Sequence, residues 1–361
     1  MSVWKYKHTT PTVIAQKIRL LRSEDLIDLA STDLERVRAT MMKTAYAEDI
    51  LAMQSERLDS ACFETALMRN FMRTCEKIVE QSPKDVKALI DTFLKKFEVS
   101  NVKSILKSKH AGLTSEEALA FVTPAGRLNE LRCREILESS KTVRDVVEQL
   151  LDLEYGMMLV DALGEYKRTQ NLLLFETILD RYVYNELWRV AGNLRGLDKK
   201  IAETVLGLEI TSANIRIILR SKMLGLNRDQ TLRHSVAVSG LLDRRKLEEA
   251  VDSTSYDDCL RRLLTAHKPS LTKDYQYMLG GVLEAFEASH SVVRLEHALD
   301  ENLLRVNLRM LKRYTQFFNI GLILAFTNLK WFEVRNLRTI VKGLEEGIPS
   351  SEIEKMLILT R

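Results

Sequence analysis

The acidic residues, histidines and cysteines are where chemistry would show first, and their spacing offers little of it. His290 and His297 stand seven residues apart with Glu296 beside the second. Two helical turns with no further ligand nearby suit a pair of surface or interface histidines better than a metal site. Glu64, Glu176 and Glu296 each lie among apolar neighbours, where a carboxyl group can be tuned for general-acid work. They recur at one place in three similar segments, however, and catalytic constellations are seldom kept in triplicate. A structural role is expected instead, each pairing with a basic residue of its own segment. Cys62, Cys75, Cys133 and Cys259 are isolated, form no CxxC pair, and read as buried or neutral thiols in a reducing compartment. No Walker A loop, GxGxxG, HExxH or GxSxG occurs, so phosphate cradling, dinucleotide binding, zinc proteolysis and hydrolase chemistry have no local signature. The residues predict no catalytic site, no cofactor, no metal and no small-molecule substrate.

Composition describes the elements that would carry these residues. The 361 residues hold only 5 Pro and 14 Gly, against a wealth of good helix formers, which points to an all-α fold. Lys+Arg 54 against Asp+Glu 50 leaves a net charge of +4 spread along the chain, without the basic patch that a nucleic-acid partner requires. Met1 to His8 carries basic residues with no apolar core behind them, unlike a signal peptide. The longest apolar run, near Phe317 to Phe326, is about half the length of a bilayer span, and a soluble protein is expected.

Self-comparison is more informative, because four blocks recur in one order. The sharpest runs Asn101-Val102-Lys103-Ser104-Ile105-Leu106-Lys107, then Asn214-Ile215-Arg216-Ile217-Ile218-Leu219-Arg220, then Asn336-Leu337-Arg338-Thr339-Ile340-Val341-Lys342. Gly112, Gly225 and Gly347 each follow the Asn by eleven residues. Upstream, Glu64, Glu176 and Glu296 precede the Asn by 37, 38 and 40 residues. A third block, at Ser31-Thr32, Ser139-Ser140 and Ser253-Thr254, suggests helix N-caps. A fourth places Tyr46, Tyr155 and His267 shortly afterwards. The period of roughly 110 to 120 residues is domain-sized rather than solenoid-sized. Three tandem helical domains are therefore predicted, over residues 1–123, 124–238 and 239–361, with breaks near Thr123-Pro124-Ala125-Gly126 and Ser239-Gly240.

Within each copy, the apolar residues one, four and five places after the Asn form a helical stripe toward the core. The basic residues two and six places after it share another face, four residues apart. They read as a solvated surface or as a face that meets acidic groups of a partner. The glycine suits a left-handed helix end. Thr114-Ser115-Glu116-Glu117, Asn227-Arg228-Asp229-Gln230 and Ser351-Glu352-Ile353-Glu354 then offer capping boxes for a following helix.

With these residues in view, the segment from Trp331 to Gly343 resembles the C-terminal signature of the C subunit of archaeal and bacterial A/V-type ATPases, the counterpart of the d subunit of the eukaryotic V-ATPase. Asn214 to Gly225 and Asn101 to Gly112 are similar to the family's other Asn-x-(Arg/Lys) segments, so the resemblance spans essentially the whole chain. An acidic residue often stands three places before the Asn, as Glu98 and Glu333 do, but the middle copy has Thr211. The resemblance implies a funnel of three similar helical domains about a pseudo-threefold axis. It further implies a rotor subunit with no catalytic site, seated on the membrane proteolipid c-type ring at the cytoplasmic side, receiving central-stalk subunits of D and F type and transmitting torque. Lys103, Lys107, Arg216, Arg220, Arg338 and Lys342 are the candidate partner-interface residues. A cytosolic helical scaffold holding soluble partners is the alternative reading.

Overall fold

The scarcity of Gly and Pro is realised as helix nearly everywhere in the computed structural model, which describes residues 2–52, 59–119, 122, 125–223, 225–236, 244–265, 273–315 and 318–359. The first copy supplies α1 (Ser2–Tyr6), α2 (Thr9–Lys17), α3 (Ser23–Ala30), α4 (Leu34–Met41), α5 (Ala47–Leu51), α6 (Ser60–Glu80), α7 (Lys84–His110) and α8 (Ser115–Leu119). The second supplies α9 (Glu130–Ser139), α10 (Val143–Gln149), α11 (Gly156–Thr169), α12 (Leu173–Gly192), α13 (Gly196–Met223) and α14 (Arg228–His234). The third supplies α15 (Arg244–Val251), α16 (Tyr256–Thr265), α17 (Lys273–Leu279), α18 (Val282–Ser289), α19 (Val292–Tyr314), α20 (Ile320–Glu345) and α21 (Ser350–Met356). Among the described residues there is no strand, only an isolated bridge between Ala125 and Leu128. The fold is all-α.

The repeated blocks fall on matching elements. Each Glu block lies on the penultimate long helix (α6, α12, α19) and each Asn block on the last long helix (α7, α13, α20). The predicted stripe is buried in all three: Val102, Ile105 and Leu106; Ile215, Ile218 and Leu219; Leu337, Ile340 and Val341. Gly112, Gly225 and Gly347 hold φ of 72°, 65° and 67°. In each case the next residue donates its N–H to the carbonyl five residues back, the six-to-one bond that closes a helix through a left-handed residue.

The capping expectations fare unevenly. Thr114 with Glu117, and Asn227 with Gln230, bond reciprocally as capping boxes. The third box is not formed, because α21 begins at Ser350 behind Pro349 and Ser351 is already inside the helix. Ser31, Ser139 and Ser253 are not N-caps either. Their hydroxyls donate back to the carbonyls of Ile27, Glu135 and Ala250, ending the preceding helix. The caps come two or three residues later, at Asp33, Thr142 and Ser255.

The chain divides into two compact units, one of Met1–Lys87, Ala191–Leu232 and Ala237–Arg361, the other of Ala88–Val190 with Arg233–Val236. Each is built from parts of different copies. In the first unit, Ile215, Ile218 and Leu219 of α13 share one apolar cluster with α15, α16, α18 and α19 of the third copy. In the same unit α20 packs against α2, α3, α4 and α6 of the first copy, and Trp331 meets Phe71 at 5.6 Å between ring centroids. In the second unit α8 packs on α9, and the Ser115 hydroxyl bonds to the Leu137 carbonyl. Each Asn helix thus completes the bundle of the following copy, and the third completes the first. The breaks near residues 123–124 and 239–240 lie outside the described residues.

A second arrangement in the first unit ties the starts of the three Asn helices together. Asp85, Asp198 and Ile320 occupy one register position, sixteen residues before each Asn. Lys5 of α1 reaches Asp85 at 2.6 Å and Asp198 at 2.9 Å, and the buried Tyr6 hydroxyl donates to Asp198 at 2.8 Å. The other Asp198 oxygen accepts the Ile320 N–H at 3.3 Å. Carboxylates at helix starts are favoured by the unpaired N–H groups there.

Candidate functional site: the seams between copies

Where an Asn helix meets the next copy, its two basic residues face that copy's Glu helix. In the second unit, Lys103 pairs with Asp180 at 2.5 Å and Lys107 with Glu176 at 2.9 Å. In the first unit, Arg216 pairs with Asp300 at 2.5 Å, and Arg220 grips Glu296 through two bonds of 2.7 Å. The block Glu therefore pairs with the Asn helix of another copy, not with a basic residue of its own. The cause is the exchange of helices between bundles, which brings a neighbour's basic face nearer than the copy's own.

Asp180 and Asp300 each stand four residues after the block Glu, and the equivalent residue in the first copy is Met68. At the seam of the third copy with the first, Arg338 accordingly finds no acid at that place and takes Glu64 instead, at 3.1 Å. Lys342 is then left with a loose contact of 3.9 Å to Glu346 on its own helix. All six candidate residues are thus in ion pairs within the chain, but their exposure separates by register. The side chains of Lys103, Arg216 and Arg338 are 20, 26 and 36% exposed, whereas those of Lys107, Arg220 and Lys342 are 58, 54 and 56% exposed.

The acid three places before the Asn works at the same seams. Glu98 accepts the Tyr155 hydroxyl at 3.1 Å and the Arg127 backbone N–H at 2.8 Å. Glu333 accepts the Tyr46 hydroxyl at 2.6 Å and the Leu21 N–H at 2.5 Å. Each carboxylate clasps the following copy at two points. Lys330, itself buried, bonds Glu333 at 2.7 Å and lies 3.9 Å from the centre of the Tyr46 ring. The middle copy replaces both charges together, with Leu208 where Lys330 stands and Thr211 where Glu333 stands. Thr211 faces the buried Tyr275 of the third copy. A buried ion pair can be exchanged as a unit for apolar and neutral side chains, whereas removal of one partner leaves a stranded charge. Thr211 is thereby explained. His267, the expected counterpart of Tyr46 and Tyr155, lies outside the described residues.

These seams can be set beside known proteins. The profile of the ATP synthase (C/AC39) subunit family matches residues 10–356, nearly the whole length. The chain belongs to this family. A curated relative named as the C subunit of A-type ATP synthase, from Methanocaldococcus jannaschii, is 27% identical over 98% of this chain and 86% of the relative. The relative of the same name from Methanothermobacter thermautotrophicus is 28% identical over 99% and 89%, and that from Pyrococcus horikoshii 26% over 98% and 91%.

Burial and neighbouring charges set the ionisation of further groups in this C/AC39-family chain. Burial opposes ionisation of Asp300, but Arg216 and Arg335, the latter at 2.8 Å, outweigh it and hold the carboxyl below the usual carboxylate range. The four cysteines are thiols outside any disulfide; burial pushes the Cys133 thiol up to about 12 and raises Cys75 and Cys259 as well, which disfavours the thiolate at these three. His290 ends α18 at φ 47° with its ring against Phe286, and His297 lies 3.5 Å from Glu301. No group of three metal-ligating side chains occurs among the described residues, and no described helix is long and apolar enough to cross a membrane. Three features carry no sequence signal of their own: the acids at Asp180 and Asp300, the Lys330 cluster, and the Lys5 junction. The Asn that opens each block stands out in the sequence without declaring its role. In the third copy the Asn336 amide exchanges two bonds of 2.8 Å with the Ile358 backbone, fastening the extended segment that follows α21.

Proposed function

We propose that the chain is a non-catalytic rotor subunit of an ion-translocating A/V-type ATPase, coupling central-stalk subunits of D and F type to the membrane proteolipid ring at the cytoplasmic side. The observation that carries this reading is the family match across residues 10–356, with relatives named as the C subunit of A-type ATP synthase aligned over nearly their full length. The interleaved bundles support it physically. Torque transfer demands stiffness, and close-packed helices shared between copies transmit strain instead of absorbing it. The three sequence domains, residues 1–123, 124–238 and 239–361, are each proposed to be one such bundle, completed by a helix from its neighbour.

Of the six basic candidates, Lys107, Arg220 and Lys342 are the ones proposed to meet partners, because they share a register and keep more than half of the side chain in solvent. Lys103, Arg216 and Arg338 are proposed to hold the seams. Rim charges of this kind tune association more than folding. The triple variant Lys107→Glu, Arg220→Glu and Lys342→Glu is expected to lose most of its recovery of stalk and ring subunits in a pull-down, with a melting temperature within a few degrees of wild type. Wild-type recovery would remove these three from the interface. A preparation of the wild-type chain that brings down no ATPase subunit would sink the coupling role itself.

A further inference from the structure

The Lys5 junction of the first unit gathers charge that the sequence spreads out. Because Lys5 reaches both Asp85 and Asp198, three stretches meet around it, residues 4–8, 80–87 and 193–203. The Thr9 hydroxyl, bonded to the Gln81 carbonyl, holds the first stretch against the second. Together they carry seven Lys and Arg against four Asp and Glu, and the start of α20, which joins them through Ile320, adds no charge.

Pairing inside the chain uses up acids and leaves cations over. Asp85 and Asp198 are both taken by Lys5, and Glu203 lies 3.8 Å from Lys199. The fourth acid, Glu80, is exposed. Lys7, Lys84, Lys87, Arg195 and Lys200 are exposed as well, and none of these five has an acidic partner among the described residues. Two bulky apolar side chains stand among them. Trp4 is 78% exposed, with the Lys7 ammonium 5.4 Å from its ring centre, although Tyr6 of the same helix is fully buried. Leu197, beside Asp198, is 63% exposed. Helical side chains lean toward the N-terminal end, so those of Lys84 and Leu197, in the first turns of α7 and α13, project past the helix ends.

We propose that this surface binds the headgroup layer of an anionic lipid bilayer. The five cations meet lipid phosphates, while Trp4 and Leu197 enter the interface between headgroups and acyl chains. Trp favours that depth because its ring is apolar and its N–H is not. Lys and Arg near an anionic leaflet each add a comparable attraction, and apolar contact joined to surplus positive charge is how a surface that does not span the bilayer holds to it. A single exposed apolar residue is ordinary; two of this size set among unpaired cations are not. The binding of lipid goes beyond the coupling role proposed above and does not require it. A chain that binds vesicles but recovers no ATPase subunit keeps this surface and loses that role.

Flotation of the full chain with vesicles tests this directly, comparing phosphatidylcholine alone with a mixture of phosphatidylcholine and phosphatidylglycerol. The wild-type chain is expected to float with the anionic vesicles only, and to be released at high ionic strength. The triple variant Lys84→Gln, Arg195→Gln and Lys200→Gln should bind about a hundredfold more weakly, roughly fivefold for each basic side chain lost. None of the three holds an ion pair in the chain, so the melting temperature should stay at its wild-type value. Vesicles with brominated acyl chains should quench part of the tryptophan emission, and Trp4→Phe should abolish that quenching while flotation persists. Equal binding to neutral vesicles, no flotation with anionic ones, or a triple variant that floats like wild type would overturn the proposal. So would quenching that survives Trp4→Phe. If vesicles are ignored while the triple variant loses ATPase subunits in a pull-down, or loses affinity for an oligonucleotide, the surface belongs to an acidic protein or a nucleic acid and the lipid assignment fails.

Discussion

Lys330 and Glu333 are 3 and 4% exposed as side chains, and the stability of so buried a pair depends on keeping both members or neither. Glu333→Gln strands the Lys330 ammonium against the Tyr46 ring and is expected to destabilise the chain by about 3 kcal/mol. Lys330→Leu combined with Glu333→Thr reproduces the pairing that the middle copy already uses, and should cost less than half as much. Denaturant melts of the two variants check the order, and a double variant worse than the single would refute the account of Thr211. A second residue-scale effect sits in the other unit, where the His234 ring meets the Thr177 hydroxyl at 2.6 Å. Burial lowers its pKa below the usual 6.5; Glu165 works against this and Arg181 and Arg233 reinforce it. The unfolded chain therefore takes up a proton first as the pH drops, so stability is present above about 6.5 and declines below it, down to the folded pKa. His234→Asn should show a smaller fall in melting temperature than wild type between about pH 7.5 and 5.5. Equal falls would show that the imidazole is not the titrating group.

At the scale of elements, the Lys5 junction links helices that are far apart in sequence. Breaking it with Lys5→Ala and Tyr6→Phe is expected to raise amide exchange in the second turns of α7, α13 and α20 together, by about tenfold, equivalent to ~1.4 kcal/mol of local stability. Exchange confined to α1 would mean that the N-terminal helix merely rests on the three starts. Much at this scale is legible in the sequence. The apolar stripes after Asn101, Asn214 and Asn336 announce buried helix faces, and the glycines eleven residues on announce left-handed ends. What periodicity does not carry is the identity of the neighbour. A stripe says that Ile215, Ile218 and Leu219 are covered, and is silent on whether the cover comes from their own copy or the next. Spacing alone therefore assigns the block Glu to the wrong copy. Met68 gives no warning either, since a buried Met is ordinary until the acids at Asp180 and Asp300 reveal what it replaces. The serines that read as N-caps fail for a related reason: Ser hydroxyls can satisfy the helix behind them as well as the one ahead.

At the scale of the whole molecule, triplication supplies matching parts while single substitutions make them inequivalent. Met68 redirects Arg338 and loosens Lys342 at one seam, and Leu208 with Thr211 removes the buried charges from another. The exchange of helices has a further consequence for how the protein is made. The bundle of the first copy emerges from the ribosome well before α20, the helix that fills it. Tyr46 waits for Glu333 through the synthesis of the 287 positions that separate them, and Phe71 likewise waits for Trp331. The N-terminal third must stay soluble while its core is incomplete, and a nascent chain arrested before α20 would offer that unfilled core to chaperones and proteases.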